Sequence, residues 1–224
     1  MTPSHAWFTE LGDLAVPDWV LALADGRAVE PVWRNEDGGV TYRFGAGVAY
    51  LKAQRPGVDW QPDAERLRLG WVAPFVPAPR VLAHGVQGDE HWLLTAGLPG
   101  RSAVDLPWRD RPAVTVPQLG RALRRFHDTV PANGCPFDWS VERRLAQVAE
   151  RRRLGLNRGA EDSDYARLAD PPPVDRLVVC HGDACAPNTL ISPDGGFAGH
   201  VDLGSLGAAD RWADLAVAAW STEW

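Results

Sequence analysis

Lysine is nearly missing from this 224-residue chain: of 23 basic residues, 22 are arginine and one is Lys52. A lone ammonium in an arginine background raises the question of what a compact point charge does there that a planar fork cannot. No run of about 18 apolar residues occurs, which excludes a spanning helix from the reading. Met1 to Glu10 lack a basic start followed by an apolar stretch, so they do not read as a secretory signal. Cysteine is scarce as well. Cys135, Cys180 and Cys185 are odd in number and lack metal-like spacing, so a reduced, cytoplasmic setting is expected. A basic surplus is also absent: the net charge is −6, which counts against nucleic acid as partner and is compatible with a cationic small substrate. The hydrophobic share of 45% and a mean hydropathy of −0.24 describe a soluble globular protein, long enough for one large domain or two compact lobes.

The first 97 residues read as strand-rich. Glu30 to Arg34 leads through the turn Asn35-Glu36-Asp37-Gly38-Gly39 to the alternating Val40 to Phe44. A second turn at Gly45-Ala46-Gly47 precedes the strand Val48 to Ala53. Asp63 to Val72 reads as a helix with Asp63 as its cap. Val81 to Gly85 and His91 to Ala96 are two further strands around Gly88-Asp89. After Gly97-Leu98-Pro99-Gly100 helices dominate: Pro117 to Val130 has apolar residues at helical spacing, and Val141 to Leu156 is dense in arginine. Leu177 to Cys180 is a short buried-type strand. Thr189 to Ile191 and Gly199 to Asp202 form a strand pair around Asp194-Gly195-Gly196, and Asp210 to Trp220 is the last expected helix. No internal repeat or low-complexity linker is present.

Phosphoryl transfer asks little covalent chemistry of a protein. It needs a cation and backbone amides on the nucleotide phosphates, oxygen ligands for a divalent metal, and a carboxylate beside the attacking hydroxyl. Asp183 follows a buried strand through His181-Gly182, where it would project into a cleft and orient an acceptor hydroxyl. Asn188, five residues on, and Asp202, at the end of another strand, offer hard oxygens suited to magnesium.

The segments HGDACAPN and HVDLGSLGAADRWADLA resemble the aminoglycoside phosphotransferase family, the antibiotic kinases. That family reads His-Gly-Asp, four residues, Asn, then Asp-x-x-x-x-Gly-x-x-Asp and Asp-Leu-Ala. Two motifs in order and at the expected separation are a specific signal, and Cys135-Pro136-Phe137 is similar to the same family. The resemblance implies an α+β, two-lobed protein-kinase-like fold over essentially the whole chain. Residues 1–97 would form a β-rich nucleotide-binding lobe and 98–224 a mainly helical catalytic lobe. It further implies Asp183 as catalytic residue, Asn188 and Asp202 as magnesium ligands, and ATP as phosphate donor. Lys52 falls where the family grips nucleotide phosphates, and Glu65 resembles the glutamate that pairs with it. Gly38 and Gly39 match a nucleotide-positioning loop, and Leu94 to Leu98, with Thr95 and Ala96, matches the segment that holds adenine.

Other polar residues carry plainer readings. His181 is expected to hydrogen-bond backbone in the catalytic loop, and Asp210 and Asp214 to cap a helix and brace that loop. His84, His127 and His200 have no partners at metal spacing, Arg151 to Arg153 read as a solvated helix face, and Cys185 is given no part. The sequence departs from the resemblance twice. Ser205 stands where many antibiotic kinases carry arginine, and the chain stops at Trp224, where family members continue through helices that complete the acceptor pocket. The activity implied is phosphorylation of a hydroxyl on a cationic aminoglycoside. The alternatives are a kinase of another small alcohol or antibiotic, and a non-catalytic nucleotide- or drug-binding protein with an incomplete acceptor site. A protein kinase is disfavoured, because the segment between Asp202 and Asp210 is short. ATP against GTP, the acceptor hydroxyl and the oligomeric state stay open.

Overall fold

The computed structural model describes residues 11, 14–35, 38–57, 61–156 and 171–223. Readings that fall on Met1 to Glu10, on Glu36 and Asp37, or on Trp224 lie outside the described residues. Strands β1 (Val29–Arg34), β2 (Val40–Phe44), β3 (Ala49–Gln54), β4 (Val81–Gln87) and β5 (Glu90–Ala96) form an antiparallel sheet in the order β1-β2-β3-β5-β4. Because successive side chains alternate between faces, Tyr42, Phe44, Leu51 and Ala53 share one face. Helix α1 (Asp18–Ala24) covers them with Val20 and Ala24. The sequence reading assigns no element there: α1 has seven residues and no side-chain cap, so packing rather than a local signal holds it.

On the opposite face Trp33, Thr41, Lys52 and Leu93 are successive cross-strand partners. Helix α2 (Pro62–Val72) packs on this side. Its cap is Gln61 rather than the expected Asp63, and it makes no side-chain capping bond. Asp63 and Glu65 lie instead in the first turn, where negative charge complements the helix dipole. Leu69 and Val72 then enter a core shared with Leu93, with Phe126 of α3 (Pro112–Thr129), with Val179 of β7 (Leu177–Cys180) and with Leu203 and Leu206. This one cluster ties the large sheet to the helical half. Gly97 leaves the sheet with its N–H on Val48 O at 3.0 Å, and a Cβ there would lie 1.9 Å from the Gly47 carbonyl oxygen, so only glycine fits.

In the second half α3 starts earlier than expected. Pro112 sits in its first turn, where a missing N–H is harmless, and Pro117 lies inside the helix. Helix α4 (Val141–Arg153) is capped by Ser140, whose Oγ accepts from Arg143 N, and it has no fully buried residue. Strand β6 (Arg101–Ser102) joins the hairpin β8 (Thr189–Ile191) and β9 (Phe197–His200), so Asp202 lies two residues past its strand rather than at its end. The expected helix from Asp210 is corrected too. Gly207–Asp210 is strand β10, paired antiparallel with β7, and helix α5 (Trp212–Ser221) begins only after it. Among the described residues no helix is long and apolar enough to cross a membrane.

Leu69→Ala removes a buried side chain from the cluster that joins the two halves, and a loss of about 2–5 kcal/mol in urea unfolding is expected. A loss below about 1 kcal/mol would contradict this placement of α2.

Candidate active site

A cleft of about 360 Å³ opens between the large sheet and two loops, one after β7 and one after β9. Lys52 faces it from β3, Asp183 from the first loop and Asp202 from the second. The Lys52 Nζ donates to both Glu65 oxygens at 3.1 Å and to Asp202 Oδ1 at 2.6 Å. Burial alone would lower the lysine pKa, but Asp202 and then Glu65 outweigh it, and the group titrates well above the ordinary lysine range. The converse holds for Asp202. Burial would raise its carboxyl, while the charge and hydrogen bond of Lys52 hold it below the usual range. Asp202 has φ +60°, a left-handed backbone that is uncommon outside glycine and asparagine, and its tie to Lys52 helps hold that conformation.

Asp183 and Asn188 form a second unit. The Asn188 Nδ2 donates to both the backbone oxygen and Oδ2 of Asp183, each at 2.9 Å. Burial first, and then the Asp202 carboxylate, push the Asp183 carboxyl up, against His181, Cys185 and Asn188. The Cys185 thiol is itself pushed up by burial and by Asp183, so it stays protonated beside the aspartate. The sequence reading gave Cys185 no part. Gly182 precedes Asp183 with φ +87°, and a Cβ there would lie 2.2 Å from Ser205 O. The two loops therefore touch through backbone, and the approach that brings Asp202 near Asp183 requires glycine at 182.

The loop that carries His181, Gly182 and Asp183 rests on Asp214, which is fully buried in the first turn of α5. Its Oδ2 accepts from His181 N at 2.7 Å and from His127 Nε2 at 2.8 Å, and its Oδ1 accepts from Gly182 N at 2.9 Å. Burial raises its carboxyl, but the His127 bond and the backbone N–H donors prevail and hold it below the usual range. His127 thus has partners that its chain spacing conceals: its ligand atom and those of Cys180 and Asp214 lie within 4.8 Å of one another. Three N–H donors already converge on the Asp214 oxygens, so this cluster is a hydrogen-bonded brace. His181 Nδ1 accepts from Asp183 N at 3.3 Å. Burial and then His181 bring His200 down to about 3, so it is a neutral core residue.

The remaining sequence candidates are placed less directly. Gly39 lines the cleft, but its N–H donates to Asn35 Oδ1 at 2.7 Å, and Gly38 supplies the φ +86° turn beside it. Thr95 and Ala96 end β5 away from the lining residues, and Ala96 N–H is already on Arg80 O at 2.8 Å. Sequence reasoning missed the clamp in which Asn35 Nδ2 donates to Gln54 Oε1 at 2.6 Å. It also missed Trp33 at the same wall. The period of two would have found Gln54, which shares a face with Lys52.

Asp214→Asn should destabilise the protein by about 3 kcal/mol at pH 7, since it leaves buried donors mismatched. A carboxyl held low stabilises above its unfolded value near ~3.9, and the contribution disappears as pH falls through the folded value. The deficit measured by thermal unfolding should therefore not narrow between about pH 8 and about pH 5, and should narrow in more acid solution. A deficit that narrows near neutrality would contradict the assignment.

Residues 20–224 match the model of the phosphotransferase enzyme family. Over 203 residues the chain is 31% identical to an aminoglycoside 3'-phosphotransferase of Escherichia coli, covering 82% of this chain and 73% of that protein. It is 32% identical over 208 residues to a streptomycin 3''-kinase of Streptomyces griseus, covering 83% of this chain and 74% of the relative. The solved structure of an aminoglycoside phosphotransferase from Streptomyces rimosus superposes with a TM-score of 0.74 at 28% identity, over 92% of this chain and 84% of that one. The same enzyme in complex with ADP and streptomycin gives a TM-score of 0.63 at 27% identity, with the same coverage. The chain belongs to the phosphotransferase enzyme family, in its aminoglycoside phosphotransferase branch, and has that branch's two-lobed α+β kinase-like fold.

Proposed function

We propose that this protein transfers the γ-phosphoryl group of ATP to a hydroxyl of an aminoglycoside, and so inactivates the antibiotic. The observation that carries this reading is the meeting of Lys52, Glu65 and Asp202 in one cleft with the Asp183–Asn188 pair. The relatives' names, and the complex with ADP and streptomycin, support both nucleotide and acceptor. Residues 1–97 act as the nucleotide lobe and 98–224 as the catalytic lobe. The three cysteines with free thiols suit a cytoplasmic setting.

In this reading the Lys52 ammonium, fixed by Glu65, meets the nucleotide phosphates, and the hairpin at Gly38 and Gly39 lies over them. The Thr95–Ala96 backbone borders the adenine. Asp183 orients the acceptor hydroxyl and takes its proton as the new P–O bond forms and the bond to the ADP oxygen breaks. Asp202 and Asn188 fit magnesium. The Asp202 carboxylate is held ionised with only Oδ1 on Lys52, and the Asn188 amide, with its nitrogen on Asp183, would offer its oxygen. Bound there, magnesium would neutralise charge on the transferring phosphate. A cationic acceptor would be drawn by Asp183 and Asp202, so its binding should weaken with salt.

Mass spectrometry after incubation with magnesium, ATP and a panel of aminoglycosides should find one added phosphate on at least one antibiotic. Nucleotide binding with no product would favour the binding-protein reading. Asp183→Ala should lower turnover by about 10²–10⁴-fold with ADP affinity retained, and product formed at the wild-type rate would remove Asp183 from the mechanism. Lys52→Ala should raise the KM for ATP, and unchanged kinetics at limiting ATP would count against its place on the phosphates.

A further inference from the structure

Arg68 lies one helical turn beyond Glu65, on the same side of α2. Its Nε donates to the backbone oxygen of Leu206 at 2.7 Å, and its guanidinium lies over the Phe137 ring, 4.8 Å from the centroid. Leu206 ends the short run that begins at Asp202, and its own N–H closes a turn onto Leu203 O at 3.1 Å. Two more contacts press α2 against that run, and a third holds the run from its other side. Leu69 packs in one cluster with Leu203 and Leu206, a Cβ on Gly204 would meet Glu65 at 3.7 Å, and Ser205 O abuts Gly182 on the far side. Residues 203–206 are thus held between α2 and the loop that carries Asp183, and Arg68 supplies a side-chain hydrogen bond from α2 to that run.

We infer that Arg68 is a positioning residue: by tethering Leu206 it fixes the run that carries Asp202 and sets the distance between Lys52 on the sheet and Asp202 on its loop. The inference rests on the nucleotide reading of Lys52 and Asp202 given above. One helix carries both Glu65, which orients the lysine, and Arg68, which orients the segment behind the aspartate. The two sides of the cleft are therefore referred to a single rigid element. A guanidinium suits this place because its flat face covers Phe137 while an edge N–H reaches the carbonyl.

Arg68→Met keeps the stem over Phe137 and removes the donor. Hydrogen exchange at the Leu206 amide should accelerate at least about tenfold in this variant, and the Kd for ADP with magnesium should rise about fivefold or more. Arg66→Ala, whose residue pairs with Asp63 on the exposed side of the same helix, should leave both within about twofold. Combined with Glu65→Gln, Arg68→Met should add little further loss of ADP affinity, since both act through the same joint. If Arg68→Met yields no folded protein, Arg68→Leu, which also lacks a donor, carries the same comparison. Unchanged Leu206 exchange in a folded variant, or fully additive losses with Glu65→Gln, would overturn the inference. Failure of the nucleotide reading looks different: wild type and Lys52→Ala would then bind ADP with magnesium equally poorly.

Discussion

The Lys52 ammonium held between two carboxylates is the contact on which the rest of the site depends. A lysine whose side chain is only 27% exposed loses part of its hydration. Two carboxylates within hydrogen-bond reach, Glu65 and Asp202, offset that loss and keep the ammonium charged. The direction of its titration agrees, since Asp202 and Glu65 together outweigh burial. The geometry also accounts for the lone lysine in an arginine-rich chain: a compact Nζ meets three oxygens from two sides, at 2.6 and 3.1 Å. A planar fork would be restricted to approaches in its own plane.

That contact works because both carboxylates come from elements that other forces position. Glu65 is placed by α2, whose Leu69 and Val72 are anchored in the shared core. Asp202 is placed by a left-handed backbone and by the close passage of Ser205 over Gly182. Gly182 and His181 in turn hang by their amides from the buried Asp214. A carboxylate that accepts backbone N–H groups fixes main chain more firmly than a side-chain contact would, so Asp183 leaves its loop in a defined direction. The chemistry needs this rigidity, because positioning supplies most of the catalysis of phosphoryl transfer.

The local motifs were legible in the sequence because their geometry is local. His181 to Asn188 forms one loop, and its spacing describes that loop directly. Lys52 stood out by its scarcity and by a strand pattern that β3 follows within one residue. Long-range packing was not legible. Strand β10 is four residues of small side chains with no alternation to read, and it exists because β7 pairs with it. Helix α1 depends on the sheet face it covers. His127 and Asp214 are 87 positions apart, and Asn35 and Gln54 are 19 apart, so neither pairing leaves a mark in spacing. The hairpin glycines were found as a turn. That the Gly39 amide would be taken by Asn35 depends on a side chain's choice of partner, which turn chemistry alone does not specify.

A single lysine also makes the central contact open to direct measurement. Acetylation of Lys52, followed by peptide mass spectrometry, reads one ammonium without competition from other lysine side chains. The ion pairs predict modification far slower than that of a free lysine, and slower again by at least about tenfold when ADP and magnesium are bound. Modification of Lys52 at the rate of a free lysine, unaffected by nucleotide, would contradict the account.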